Sequence, residues 1–101
     1  MRISELDAIT QSLHGVTAST RDGRRQWRYR GRLVARQLDA AHVVVRAAFD
    51  VRDVLLTQFP DTFSVPDRYA KHMMVVVDLA GGDPDAIEDA IRAAWRLQSG
   101  G

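Results

Sequence analysis

The sequence contains no cysteine and no long hydrophobic run. Without cysteine there are no disulfides, no thiolate-bound metal or iron–sulfur sites and no nucleophilic thiol. No apolar stretch approaches the roughly 20 residues that a membrane-spanning helix needs. Residues 1–7 include acids where a secretory signal would have its apolar core. We therefore expect a cytoplasmic protein with no membrane partner.

The length of 101 residues predicts one domain, residues 1–101, with no room for a second core. The 46% hydrophobic and 27% charged residues are typical of a globular chain, so disorder is not expected. We expect this domain to be a monomer.

Three helices are predicted from capping residues and apolar spacing. Ser4 is placed to cap the first helix, and Asp50 to cap a second that ends before Pro60. The third has the clearest signal, because Asp83 is followed by Pro84, a residue favoured in the first helical position. A mainly apolar stripe then follows at helical spacing: Ile87, Ile91, Ala94, Trp95 and Gln98.

Four strands are predicted from β-prone runs, at Arg25–Arg30, Arg32–Leu38, His42–Phe49 and Lys71–Leu79. Hairpin-sized gaps separate the first three, which indicates an antiparallel meander. Val16–Gly23 is rich in serine, threonine and glycine and is interpreted as a loop. The predicted order is α-β-β-β-α-β-α, an α+β fold with one antiparallel sheet and helices packed on it.

Several local motifs, in this order, resemble those of the MmcQ/YjbR-like family. The matching stretches are Leu13–Thr17, Trp27–Ala35, Phe63–Tyr69, Asp83–Asp85 and Ala94–Leu97. The resemblance implies a double-wing fold of the YjbR/CyaY type, similar to the bacterial frataxin-like proteins, and a bacterial source. It also implies DNA binding, the property by which members are commonly described.

Positive charge is concentrated in one short segment. Seven arginines lie between Arg21 and Arg36, with Asp22 the one acid among them. This segment carries +6, so the rest of the chain carries −5 to reach the net charge of +1. Such a local field attracts phosphates or acidic partners, and the planar guanidinium forms bidentate hydrogen bonds with phosphate.

We therefore expect weak, salt-sensitive and sequence-independent binding to DNA through a basic β-hairpin and a neighbouring strand. Arginines would contact phosphates, which position a protein on DNA without reading bases. The candidate residues are Arg24, Arg25, Arg28, Arg30, Arg32 and Arg46. The competing interpretation is a solvated, arginine-rich sheet that resists edge-to-edge aggregation.

Strand alternation predicts which arginines share a face. Arg28 and Arg30 should lie opposite Trp27, whose large ring is expected in the core rather than in a base-stacking role. A two-residue turn at Arg30 and Gly31 would instead put Arg32 and Arg36 on the face of Trp27. The cluster is thus expected to divide between the two faces or to lie at the tip of the hairpin.

The alternative function is a module that binds a protein or a small ligand through the open sheet face and the loop at residues 63–69. The candidate contact residues are Phe63, Pro66, Tyr69 and His72. Arginines gathered on a convex face would favour DNA. Arginines around an apolar concavity with Tyr69 and Met74 would favour a ligand or partner.

No enzyme activity is expected, and neither a catalytic residue nor a cofactor is assigned. Ser64 lacks the glycine elbow of hydrolases, and His72 has no identifiable catalytic partner. The three histidines lack the spacing of metal ligands, so no metal site is predicted.

Overall fold

Six antiparallel strands and three helices make up residues 1–100, which the computed structural model describes. The elements are α1 (Ile3–Gln11), β1 (Val16–Arg21), β2 (Arg24–Tyr29), β3 (Arg32–Gln37), β4 (His42–Arg46), α2 (Phe49–Gln58), β5 (Phe63–Ser64), a short 3₁₀ helix (Asp67–Tyr69), β6 (Met74–Asp78) and α3 (Pro84–Ser99). The strands form one sheet in the order β1-β2-β3-β4-β6-β5. The predicted α+β class and the single antiparallel sheet are confirmed.

Two strands were not predicted, and the interpretation of Val16–Gly23 as a loop was wrong. β1 occupies most of that segment and pairs along its whole length with β2. Asp22 and Gly23 connect them with positive φ angles of 53° and 76°, the backbone of a tight two-residue hairpin turn. Four of the six residues of β1 are exposed, which explains a composition that resembles a loop. β5 is only two residues long.

All three helices lie on one face of the sheet, and the main core fills the space between them. Alternate strand residues point into this core and are at most 1% exposed: Trp27, Val43, Val45, Val75 and Val77. The predicted stripe of α3 meets them, with Ile87, Ile91 and Ala94 fully buried. The prediction that the indole of Trp27 belongs to the core is confirmed.

The helix starts were predicted correctly only for α3. There the carboxylate of Asp83 accepts hydrogen bonds from the backbone N–H groups of Asp85 and Ala86, at 2.9 and 3.2 Å. α1 begins before Ser4, with Arg2 at its N-cap, and α2 begins before Asp50, with Ala48 at its N-cap. Neither Ser4 nor Asp50 is therefore a cap. Within residues 1–100, no helix has the length and apolarity needed to cross a bilayer.

A bulge interrupts the pairing of β2 with β3. Trp27 lies opposite Ala35 but Arg28 lies opposite Leu33, so Val34 is an extra residue on β3. The alternation of side chains is shifted by one position across Val34. Arg32 pairs with Tyr29 across the turn, before the bulge, and lies on the helix-covered face, as predicted. Arg36 lies beyond the bulge and therefore on the opposite face, where it was not expected.

Asp7 of α1 ties the first helix to the sheet. Its carboxylate oxygen accepts hydrogen bonds from the indole Nε1 of Trp27, at 2.8 Å, and from the guanidinium of Arg25, at 2.9 Å. Burial raises the pKa of Asp7, but the hydrogen bonds from Arg25 and Trp27 outweigh it and leave the pKa below its ordinary value. The ionised form is therefore favoured by folding.

A group whose pKa is depressed in the folded state stabilises the fold above its unfolded pKa, and this contribution is lost as the pH falls through the folded value. We expect wild-type stability to fall as the pH drops from about 5 towards 2, in part through Asp7. Asp7→Asn keeps an acceptor for Trp27 but removes the charge, so it should weaken this pH dependence. Asp7→Ala leaves a buried indole N–H unpaired and should cost about 1–3 kcal/mol at neutral pH.

Urea unfolding at several pH values measures both effects. Asp53→Asn is the control, because it removes an exposed carboxylate that forms no ion pair within residues 1–100. An Asp7→Asn variant with the same pH dependence as the wild type would contradict the role assigned to this carboxylate.

Candidate functional site

The face of the sheet opposite the helices carries a concentration of arginines. Strand register places five of them on it, and we call this surface the arginine face: Arg21, Arg24, Arg28, Arg36 and Arg46. Gln26 lies among them, directly opposite Arg36. Its side-chain oxygen accepts hydrogen bonds from the Nε and an Nη atom of Arg28, at 3.3 and 3.0 Å.

Residues 65–72, which we call the covering segment, run along one side of this face. Val44 and Val76 pair across β4 and β6 on the arginine face, yet they are only 1% and 5% exposed. They lie outside the main core cluster. The hydroxyl of Tyr69 accepts a hydrogen bond from Arg36 at 3.4 Å, which joins the covering segment to β3. The arginine face is therefore partly covered, not flat.

A groove lies between the covering segment and strands β1 to β3. Its volume is about 510 Å³, and we call it the arginine groove. Its lining residues are Arg21, Asp22, Arg24, Gln26, Arg36, Gln37, Leu38, Arg68 and Tyr69. Four arginines thus surround it, with one carboxylate, that of Asp22 in the turn between β1 and β2.

The arginines of this groove repel one another in the free protein. Arg21 lies directly opposite Arg24 on the neighbouring strand, and like charges in that position destabilise a sheet. No ion pair within 4.0 Å involves Arg21, Arg24, Arg36 or Arg68 in the described part of the chain. All four residues are exposed. A bound anion would offset this repulsion and form charge-assisted hydrogen bonds.

Arg52 of α2 holds the covering segment in place. Its guanidinium donates to the backbone carbonyls of His72 at 2.8 Å, Ala70 at 3.2 Å and Tyr69 at 3.3 Å. The guanidinium carbon also lies 4.8 Å from the centre of the Phe49 ring. Arg52 is therefore a structural arginine, and the side of the groove that it secures is fixed to a helix.

A second groove, of about 460 Å³, continues from the first. The two share Arg24, Leu38 and Arg68 as lining residues. The second groove is also lined by Asp39, whose carboxylate accepts hydrogen bonds from the backbone of Ala41 and from the backbone and ring of His42. These bonds, that from Ala41 first, hold the pKa of Asp39 below its ordinary value. The two connected grooves form a channel in which the first has four arginines and Asp22, and the second has the two shared arginines and Asp39.

The six arginines predicted to bind DNA do not form one surface. Arg24, Arg28 and Arg46 lie on the arginine face. The other three do not. Arg25 pairs with Asp7, and Arg32 donates to the carbonyl of Gln98 in α3 at 3.1 Å. Arg30 lies in the turn between β2 and β3, with a φ of 46°. The guanidinium of Arg30 stacks over Tyr29, 5.3 Å from the ring centre. The prediction that Arg30 shares a strand face with Arg28 was wrong.

The four predicted contact residues of the loop also separate. Phe63 is 2% exposed and packs edge-on against Phe59, so it supports the core instead of facing a partner. Tyr69 lines the arginine groove, and Pro66 lines the second groove. His72 is exposed, and its carbonyl oxygen accepts from Arg52. In residues 1–100, no three histidine or acidic side chains come together to hold a metal ion.

Sequence reasoning missed four arginines that the structure brings to the site. Arg21 and Arg36 belonged to the charged segment but were not selected, and Arg68 and Arg52 lie outside it. A strand at Val16–Arg21 would have placed Arg21 opposite Arg24, and the Asp22-Gly23 pair was the signal for that strand. No pattern in the sequence indicated that Arg52 reaches the covering segment.

No family model, no curated protein and no solved structure matches this chain. The resemblance to the MmcQ/YjbR-like family therefore stays a prediction, together with the fold name and the DNA binding that it implies. The α+β architecture and the placement of the arginines stand on the structure alone.

Removing Arg52 should loosen the covering segment. In Arg52→Ala three backbone carbonyls lose their donor, and water replaces it at the exposed Ala70 and His72, so the loss of stability should be about 0.5–1.5 kcal/mol. Hydrogen exchange should accelerate at the amides of Ala70 and His72, which bond within this segment, and not at Val76 in the sheet. Arg92→Ala is the matched control, because it breaks only an exposed helical ion pair with Glu88. Equal acceleration at all three amides would contradict the local role of Arg52.

Proposed function

We propose that this protein binds DNA without sequence specificity, through the arginine groove and not through the tip of the basic hairpin. The observation that carries the proposal is the arrangement of Arg21, Arg24, Arg36 and Arg68 around one polar groove without ion-pair partners in the described chain. Phosphate is the chemical group that such a set of exposed guanidinium groups fits best.

The arginines on the helix-covered face support the placement of the site in the groove. Arg25 is neutralised by Asp7, and Arg32 is engaged with the end of α3. Because these two arginines already form hydrogen bonds within the free protein, they contribute less to a contact with DNA. The resemblance to a family described as DNA-binding supports the choice of DNA among polyanions.

The mode of binding follows from the residue types at the groove. Arginine contacts to phosphates supply affinity and register, and base sequence would not be read. We propose no catalytic step, cofactor or metal for this function. His72, for which the sequence offered no catalytic partner, is exposed and contributes a backbone carbonyl to the contact with Arg52.

The concave shape of the groove supports a second candidate, a small anionic ligand. The groove includes Tyr69, as expected for a ligand site, although Met74 does not line it. A small ligand would saturate the site with one or two phosphates. In that case a nucleoside triphosphate would displace a labelled oligonucleotide, and the affinity for oligonucleotides would not increase with their length.

Salt-dependent fluorescence anisotropy with labelled oligonucleotides tests the DNA proposal. Four phosphate contacts predict a slope of log K against log salt of about −3.6 for duplex and about −2.8 for single strands. The Arg24→Ala/Arg36→Ala variant removes two contacts and should flatten the slope by about 1.8 or 1.4, respectively. It should also lower the affinity at low salt.

Arg30→Ala/Arg32→Ala is the matched control, because it removes two positive charges from the hairpin outside the groove. It should retain the wild-type slope of log K against log salt, and its affinity should fall only slightly because the long-range attraction is weaker. Equal losses in the two double variants would contradict the placement in the groove, and a loss confined to Arg30→Ala/Arg32→Ala would place the site at the hairpin. The absence of binding to either form at about 50 mM salt would refute the DNA proposal.

A further inference from the structure

We propose that the form of DNA bound in the arginine groove is a single strand, which lies along the channel formed by the two connected grooves. This inference rests on the proposed DNA binding and specifies its substrate. It follows from the shape of the channel, from the position of Tyr69 and from the distribution of charge along the channel.

The channel is bounded on one side by the covering segment. Arg52 anchors this segment through three carbonyls, and Arg36 reaches the hydroxyl of Tyr69 at the groove. Duplex DNA is stiff, with a persistence length of about 50 nm, so it would contact the exposed arginines from the open side without following the channel. A single strand is free to follow the channel between the segment and the sheet.

Tyr69 adds a contact that only unpaired bases can use. Its side chain lines the groove, and the guanidinium of Arg68 lies 4.9 Å from the centre of its ring. Proteins that bind single strands without sequence preference combine a positive groove with aromatic rings on which bases stack. In a duplex the bases are stacked on one another and turned away from such a ring. Tyr69 therefore favours single strands, with the guanidinium of Arg68 over one face of the ring and a base stacked on the other.

The charge distribution places the phosphates within the channel. The arginine groove has four arginines against the single carboxylate of Asp22, whereas the second groove has only the two shared arginines against Asp39. A phosphate beside the ionised Asp39 would be repelled, so the phosphate contacts belong in the arginine groove. The domain is at most 30 Å across. The binding site is thus short, and an oligonucleotide of about 12 residues covers it, by comparison with the 4–16 nucleotides of single OB-folds.

The test is fluorescence anisotropy with three probes of one mixed sequence: a 12-nucleotide single-stranded DNA, the same DNA as a blunt duplex, and the single-stranded RNA. We expect the single-stranded DNA to bind at least tenfold more tightly than the duplex at the same salt concentration. Tyr69→Ala should weaken single-strand binding by about 5- to 160-fold, the range of base–aromatic stacking, and leave duplex binding unchanged. Tyr69→Phe keeps the ring and should retain most of the affinity.

Tyr29→Phe is the control for substitution of a tyrosine outside the groove, and thermal unfolding of each variant checks that the fold is kept. Duplex binding equal to or tighter than single-strand binding would overturn this inference while leaving the proposed DNA binding intact. Tighter binding of the RNA would overturn the assignment to DNA. Failure to bind any of the three probes would remove the proposed function itself, and with it this inference.

Discussion

The alternation of side chains along an extended strand decides which arginines of this protein face solvent together. On β2 and β3 one set of positions is committed to the core beneath the helices, with Trp27 as its largest member. The turn after β2 pairs Arg32 with Tyr29 on the helix side, and the bulge at Val34 then shifts the alternation once, which places Arg36 on the opposite side. Without the extra residue, Arg36 would share the face of Trp27, and the arginine groove would lose one of its four cations.

The arginines serve two different physical purposes. Arg25, Arg32 and Arg52 are held by hydrogen bonds to a carboxylate or to backbone carbonyls, and each of them joins one element to another. Those around the groove have no acidic partner in residues 1–100 and repel one another. A high arginine content alone therefore does not locate a binding surface. The partners of each guanidinium group separate the structural arginines from the available ones.

Much of the fold followed from local signals, whereas the site did not. The cap at Asp83, the meander and the buried face of α3 were predictable, because caps, hairpin gaps and apolar spacing act over a few residues. β1 was missed because an exposed edge strand has the composition of a loop, although Asp22 and Gly23 marked its turn. The groove depends on the bulge at Val34 and on the reach of Arg52 to the covering segment, which are tertiary features that no short pattern encodes.

The anchoring of the covering segment by Arg52 has a mechanical consequence. The same guanidinium group contacts the Phe49 ring on α2 and the carbonyls of Tyr69, Ala70 and His72, so this side chain joins the helix to the segment. Phe49 and Val54 are the large apolar side chains that remain exposed within residues 1–100, and both lie on this helix. The position of the covering segment, which forms one side of the groove, thus depends on α2 in the helix layer. A displacement of α2 would move the segment against which a ligand would rest.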